Sequence, residues 1–270
     1  MPTYEPSTIG TWFLNLGGGV NSSALAVELM ARGYPAPAAA FFADTGGERP
    51  ETYAHVDDLS AMFVANGWPP VEVVRWIRKV GPNAGRFISI EEQCLTRKEL
   101  PSLAYGRKGC SVKWKGQPID AAVKAHPATI KAQSEGRRVI RVLGYDADEP
   151  HRWNRSNDND LWSWWAPLVE WNMGRFECLS ILRHAGFGGV PKSACFFCPA
   201  TKEREILSLP PNLQRRALAI EDNAEHHSPT HGLGGAGRRW SSVVEFHDRQ
   251  ARLWPEVNEV PCGCFDGGGS

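Results

Sequence analysis

The stretch "FLNLGGGVNSSALAVEL", residues 13–29, decides the reading of the fold. Residues 11–16 (TWFLNL) form an apolar run of strand length. Residues 22–32 (SSALAVELMAR) repeat apolar positions at helical spacing, and Gly33 and Pro35 close that helix. Between them lie Gly17, Gly18 and Gly19, then Asn21, Ser22 and Ser23. Glycines let a backbone approach a ligand closely, and their amides, with the N-terminus of the next helix, make a seat for an anion such as phosphate. Ser22 and Ser23 either cap the helix or donate to the same anion. The spacing is neither GxxxxGK[ST], since no Lys follows, nor GxGxxG. An ordinary strand-to-helix turn explains three glycines equally well when they are taken alone.

Outward from this stretch the pattern repeats. Residues 38–43 (AAAFFA) are a second apolar strand, Pro50 opens a helix over 51–65, "VEVVRW" (71–76) is a third strand and "VIRVLG" (139–144) a fourth. Strands alternating with helices predict βαβ units and a Rossmann-like parallel sheet of the α/β class. At the end of the second strand "DTGGERPETY" places Asp44, Thr45 and Gly46 in another glycine turn, with Glu51 in the first turn of the next helix. Ligands of open α/β sheets bind at this end of the strands. Just after the fourth strand stand Asp146, Asp148 and Glu149, again at the ligand end, with Arg152 beyond.

The second half reads as mainly helical and irregular, with helical patterns over 174–185, 201–225 and 240–252 and a glycine loop at 232–237. The expected organisation is a nucleotide-binding α/β domain over 1–145, a cysteine-bearing helical part over 146–260, and a mobile tail over 261–270. Lys+Arg and Asp+Glu balance at 30 each, which argues against a general polyanion binder. A local basic patch (Arg97, Lys98, Arg107, Lys108, Lys113, Lys115) faces only Glu99 between 97 and 115, suiting phosphate, sulfate or a nucleic-acid backbone. A solvated surface explains the same run, and hydration explains Arg175 and Lys192 as well as phosphate binding does. Five of the eleven tryptophans crowd residues 153–171, as packing aromatics do. No apolar run has the length of a membrane span, and the first residues lack the features of a signal peptide, so the expected compartment is the cytoplasm.

In a reducing compartment seven cysteines point to metal binding or catalysis rather than disulfides. Cys195 and Cys198 form a CxxC; spacing alone does not separate Zn²⁺ from an iron–sulfur site. Cys94 reads as structural. Cys262 and Cys264 lie in the tail as "PCGCF", where a reactive thiolate, a metal ligand and an inert end are all open.

Six segments in order carry a resemblance: "GGGVNSSAL", "DTGGERPETY", "CSVKWKGQPI", "GYDADEPHR", "APLVEWNMGRFEC" and "PKSACFFCP". The first is similar to the PP-loop of the adenine-nucleotide α-hydrolase (ATP pyrophosphatase) superfamily, usually SGGxDS. The set over about residues 12–255 resembles the phosphoadenosine-phosphosulfate (PAPS) reductase-like proteins, in their iron–sulfur-bearing, phage- or mobile-element-associated branch. The resemblance implies a fold that binds ATP or PAPS/APS, with phosphate contacts from Gly17, Gly18, Gly19, Asn21 and Ser22, and with Asp44 and Thr45 near the nucleoside. It implies a role for Glu149 and Arg152 near substrate or cluster, and a [4Fe–4S] cluster on Cys110, Cys178, Cys195 and Cys198, with Zn²⁺ as the alternative. Two departures stand out: Gly17 replaces Ser, and Asn21 replaces Asp, which removes a carboxylate ligand for Mg²⁺. The implied activity is ATP-dependent, pyrophosphate-releasing sulfur transfer to a nucleotide or nucleic acid from a sulfur donor. Alternatives are thioredoxin-type reduction of PAPS or APS through Cys262 or Cys264, and a non-catalytic nucleotide- or nucleic-acid-binding module with a structural metal.

Overall fold

The structure is a computed structural model that describes residues 4–153 and 158–253. It has two compact units, one formed by residues up to 93 with 108–196, the other by 94–107 with 197 onward. Cys262, Cys264 and the tail over 261–270 lie outside the described residues.

The first unit opens with β1 (Trp12–Leu16), α1 (Val20–Ala31), β2 (Ala39–Asp44), α2 (Pro50–Ala65) and β3 (Val71–Arg75). After α3 (Ile90–Arg97) come a π-helical turn, Ser111–Gly116, and then α4 (Gln117–Ala125), α5 (Pro127–Ser134), β4 (Val139–Leu143), β5 (Trp162–Trp165), α6 (Pro167–Glu170) and α7 (Arg175–His184). Five strands form one all-parallel sheet in the order β3-β2-β1-β4-β5, the expected Rossmann-like arrangement. Parallel neighbours demand crossovers, and the helices between strands supply them.

Alternation along the central strands explains why both faces are covered. Trp12, Leu14 and Leu16 of β1 join Ala40 and Phe42 of β2 in one core with Leu25 and Leu29 of α1 and Leu182 of α7. Phe13 joins Phe41 and Ala43 in a second core with Ile119 and Val123 of α4 and Ala132 of α5. Successive side chains point to opposite faces, so a strand apolar at every position must be sandwiched. Fully burying each such side chain contributes about 1.5–3 kcal/mol.

The strand order runs outward from β1 in both directions, so the topological switch point lies between β1 and β4. In sheets of this kind ligands bind in the crevice outside the carboxyl ends of the two strands at that point. Here those ends are Leu16, followed by the glycines, and Leu143, followed by Gly144–Glu149.

The tryptophan-rich stretch supplies β5. Trp165 is fully buried, with edge contacts to Tyr4 at 5.3 Å and Trp171 at 5.9 Å between ring centroids. In the second unit, α8 (Glu203–Leu207) and α9 (Pro211–Ala224) replace the single helical pattern of 201–225, because Pro210 and Pro211 break it. A two-strand hairpin, β6 (His231–Gly232) with β7 (Gly235–Ala236), precedes α10 (Trp240–Leu253). Buried Glu221 of α9 accepts from the amides of Leu233, Trp240 and Ser241 at 2.7–2.9 Å, so it satisfies donors that the start of α10 would otherwise leave open. No helix among the described residues is long and apolar enough to cross a membrane.

Candidate functional site

The glycine loop is shaped from both sides. Gly18 has a φ of +72°, and an added Cβ would stand 3.0 Å from Phe42 and 3.1 Å from Thr52. Gly19 starts α1 in an extended conformation and has no side chain to cap it. The two serines tie the loop from within. Ser22 Oγ accepts from the Gly17 amide at 3.1 Å and donates to the Gly19 carbonyl at 3.2 Å. Ser23 Oγ also donates to Gly19, at 2.9 Å, and lies 2.8 Å from His55 Nε2. Ser23 is fully buried, so its hydroxyl serves the turn. From outside, Ser193 Oγ donates to the Gly17 carbonyl, and Ser193 Cβ lies 3.1 Å from where a Gly19 side chain would begin. That contact is invisible in the sequence, where Ser193 belongs to the cysteine motif.

Asp44, at the tip of β2, is buried and accepts from the Gly46 amide at 2.7 Å, the Tyr53 hydroxyl at 2.7 Å and Arg75 Nε at 2.8 Å. Burial pushes its carboxyl up, but the donors from Tyr53, Arg75 and Gly46 outweigh that and hold it below the usual carboxylate range. Burial and the neighbouring carboxylate push the Tyr53 hydroxyl well up. Gly46 turns with a φ of +71°. Thr45 Oγ1 lies 3.4 Å from Glu48 Oε1 and 3.2 Å from Cys195 Sγ. Glu48 pairs with Lys115 at 3.0 Å, forms an isolated antiparallel bridge with Cys195, and has a fully buried side chain. Glu48 is a residue that reading the sequence missed: one Glu in a glycine turn looks solvated until Lys115 arrives from the π-helical turn. Glu51 is exposed in the first turn of α2.

The third component comes from the segment after β4. Asp146 is 2% exposed; its Oδ2 accepts from Asn21 Nδ2 at 2.6 Å, and its buried Oδ1 has no hydrogen-bond partner. Asn21 Oδ1 in turn accepts from Arg175 Nη1 at 2.9 Å. Arg175 begins α7, and its amide donates to Asp148 Oδ2 at 2.7 Å. Glycine lets two backbone segments approach closely here. A side chain on Gly144 would meet the backbone of Ser22 at 2.6 Å, and one on Gly174 would meet the Asp148 carboxylate at 2.8 Å. Three separated motifs, "GGGVNSSAL", "GYDADEPHR" and "NMGRFEC", are thereby stitched together at the switch point. Glu149 and Arg152 instead pair with each other at 2.6 Å on the surface.

Two lysines of the basic patch, Lys113 and Lys115, make contacts within the first unit. Lys113 Nζ sits 4.0 Å from the Trp76 ring and 4.1 Å from the Trp114 ring and donates to Gln93; Lys115 holds Glu48. Among the cysteines, Cys178 lies on α7 inside the apolar core, fully buried. Its thiol is pushed up to about 12, first by burial and then by Asp146, with Arg175 opposing. Cys110 and Cys195 also belong to the first unit, and Cys198 to the second. Among the described residues no three His, Cys, Asp or Glu side chains are gathered so as to hold a metal ion.

No family model matches the chain, and no curated protein is similar enough to match it.

Proposed function

We propose that the tip of β1 is the phosphate seat of an adenine-nucleotide-binding enzyme similar to the PAPS reductase-like proteins. On this reading it adenylates an acceptor, releases pyrophosphate and so drives sulfur transfer to a nucleotide or a nucleic acid. One observation carries the reading: Asn21 from the loop after β1, Asp146 from the segment after β4 and Arg175 at the start of α7 bond in series across the switch point. A plain strand-to-helix turn has no need of two further motifs held to it.

The roles follow from chemistry. The uncapped amides at the start of α1 receive phosphate oxygens, and the Arg175 guanidinium adds a charge-assisted donor at the same place. Attack by the acceptor oxygen at the α-phosphorus forms the new P–O bond and breaks the bond to the β-phosphate, with pyrophosphate leaving. Preorganised donors stabilise the charge that develops on the phosphoryl oxygens, and positioning does the rest. Asp44, with its three donors, holds the neighbouring turn in shape. The ligand set Cys110, Cys178, Cys195 and Cys198 rests on the resemblance alone.

Calorimetric titration with ATP, followed by an assay for pyrophosphate release, tests the reading. ATP is expected to bind, and Gly18→Ala to weaken it at least about tenfold, because the new methyl group meets Phe42 and Thr52 and the φ is positive. Sulfite formation from PAPS with a thiol reductant would redirect the proposal to a reductase, and binding without turnover to a nucleotide-binding module. Failure to bind either nucleotide would end it.

A further inference from the structure

Asp146 is the anomaly of the site. A carboxylate taken out of water needs donors, and buried polar atoms left without one call for an explanation: a water, an ion or a role in the reaction. Asp146 is 2% exposed and receives a single donor, the neutral amide of Asn21, on Oδ2. Its other oxygen is buried and unpartnered. The one guanidinium in the network, Arg175, is spent on Asn21 Oδ1 at 2.9 Å rather than on the carboxylate. That bond also fixes the Asn21 amide, oxygen toward Arg175 and nitrogen toward Asp146. The carboxylate is therefore held in place against the first turn of α1, with one oxygen unpartnered.

We propose that Asp146 supplies the carboxylate for a divalent cation of the Mg²⁺ or Mn²⁺ class that enters with the nucleotide phosphates. The inference rests on the nucleotide reading above and assigns it a cation site. Position 21 offers an amide where a carboxylate would be the natural hard ligand, and Asp146 brings a carboxylate to within 2.6 Å of that amide from a different strand. The class of cation follows from the donor count. Ca²⁺ takes six to eight oxygens from a dedicated cage, whereas Mg²⁺ typically uses one or two carboxylates and completes its octahedron with phosphate oxygens and water. Here one buried carboxylate stands beside the proposed phosphate seat, as the second pattern asks. Asp148 is held apart from this role by the Arg175 amide and by the close approach of Gly174.

The experiment is calorimetric titration of ATP with and without Mg²⁺, on the wild-type chain, on Asp146→Asn, and on the exchange Asn21→Asp with Asp146→Asn. The exchange keeps an amide–carboxylate pair across the same contact, so it guards against a single variant that fails to fold; circular dichroism checks each protein. In the wild type Mg²⁺ is expected to tighten ATP binding about tenfold or more, within the usual range of coupling between two ligands. That ratio should collapse toward one in Asp146→Asn and return in the exchange variant. A wild type that binds ATP equally with and without Mg²⁺, or an Asp146→Asn variant that keeps the full ratio, overturns the cation site and leaves the nucleotide reading standing. A wild type that binds no ATP under either condition overturns both.

Discussion

Two buried aspartates flank the central strand, one at the end of β2 and one just beyond β4, and they are treated in opposite ways. Asp44, 4% exposed, collects an amide, a phenol and a guanidinium on its two oxygens. Asp146, 2% exposed, collects one neutral amide on one oxygen and nothing on the other. One ends an apolar strand and the other follows one, and both adjoin glycine-bearing turns, so composition does not tell them apart. The difference lies in saturation. A saturated carboxylate is part of the scaffold, because every donor it holds belongs to the fold. An unsaturated one keeps capacity for something the chain does not contain.

The strongest way to break this contrast is to move the two elements that make it. Gly144→Ala puts a methyl group 2.6 Å from Ser22 Cα and 2.8 Å from Ser22 N, which are backbone atoms that cannot swing aside. The start of α1 must then shift away from β4. A cost of about 2–3 kcal/mol is expected from overpacking of this kind, together with loss of ATP binding. Urea unfolding and calorimetry measure the two effects. Stability lost with ATP affinity intact would mean that the register of Asn21 against Asp146 is irrelevant to the ligand.

Next in size is a matched pair of substitutions. Asp44→Asn removes a charged acceptor from three donors and should cost about 2 kcal/mol. Asp146→Asn removes a buried charge with one donor and should leave stability unchanged or raise it. Acid unfolding sharpens the pair. The folded carboxyl of Asp44 lies below its unfolded value, so its contribution is complete above about pH 3.9 and is lost as the pH falls toward the folded value. The acid limb should flatten in Asp44→Asn. Equal destabilisation by both variants at neutral pH would erase the distinction between the two carboxylates.

How much of this could be read from the sequence depends on distance along the chain. The strands β1 to β4 and helices α1 and α7 follow from apolar runs punctuated by glycine and proline, which are local signals. β5 escaped because only Ser163 and Trp165 of its four residues are buried, and the polar residues around it mask a strand so short. The split between α8 and α9 is written in Pro210 and Pro211, although helical spacing continues on both sides of them. In the site, the glycine loop announced itself, while the choice among Asp146, Asp148 and Glu149 did not. Glu149 pairs with Arg152 three positions away, whereas Asp146 meets a residue 125 positions away. Glu48 and Ser193 were missed for the same reason: what makes each important is a partner from a distant segment.

The smallest expected effect concerns the underside of the loop. His55 is buried beside Ser23, with its ring edge-on to Phe187 at 5.5 Å. Burial lowers its affinity for a proton, and Asp58 opposes this only in part. The native imidazole is therefore the neutral form, and protonation is easier in the unfolded chain. Stability from this group is complete above the unfolded value of about 6.5 and is lost as the pH falls through it toward the lower folded value. Urea unfolding at pH 7 and pH 5 should show the decline in the wild type and a shallower one in His55→Gln, which keeps a polar group beside Ser23 without a titrating ring. Because Ser23 and Ser22 both donate to the Gly19 carbonyl, charging His55 also pulls on the turn proposed to seat the phosphate. ATP affinity should then weaken over the same pH interval in the wild type and less so in His55→Gln. An identical slope in the two proteins would show that the ring is a passive filler and that the loop keeps its shape through Gly18 and the two serines alone.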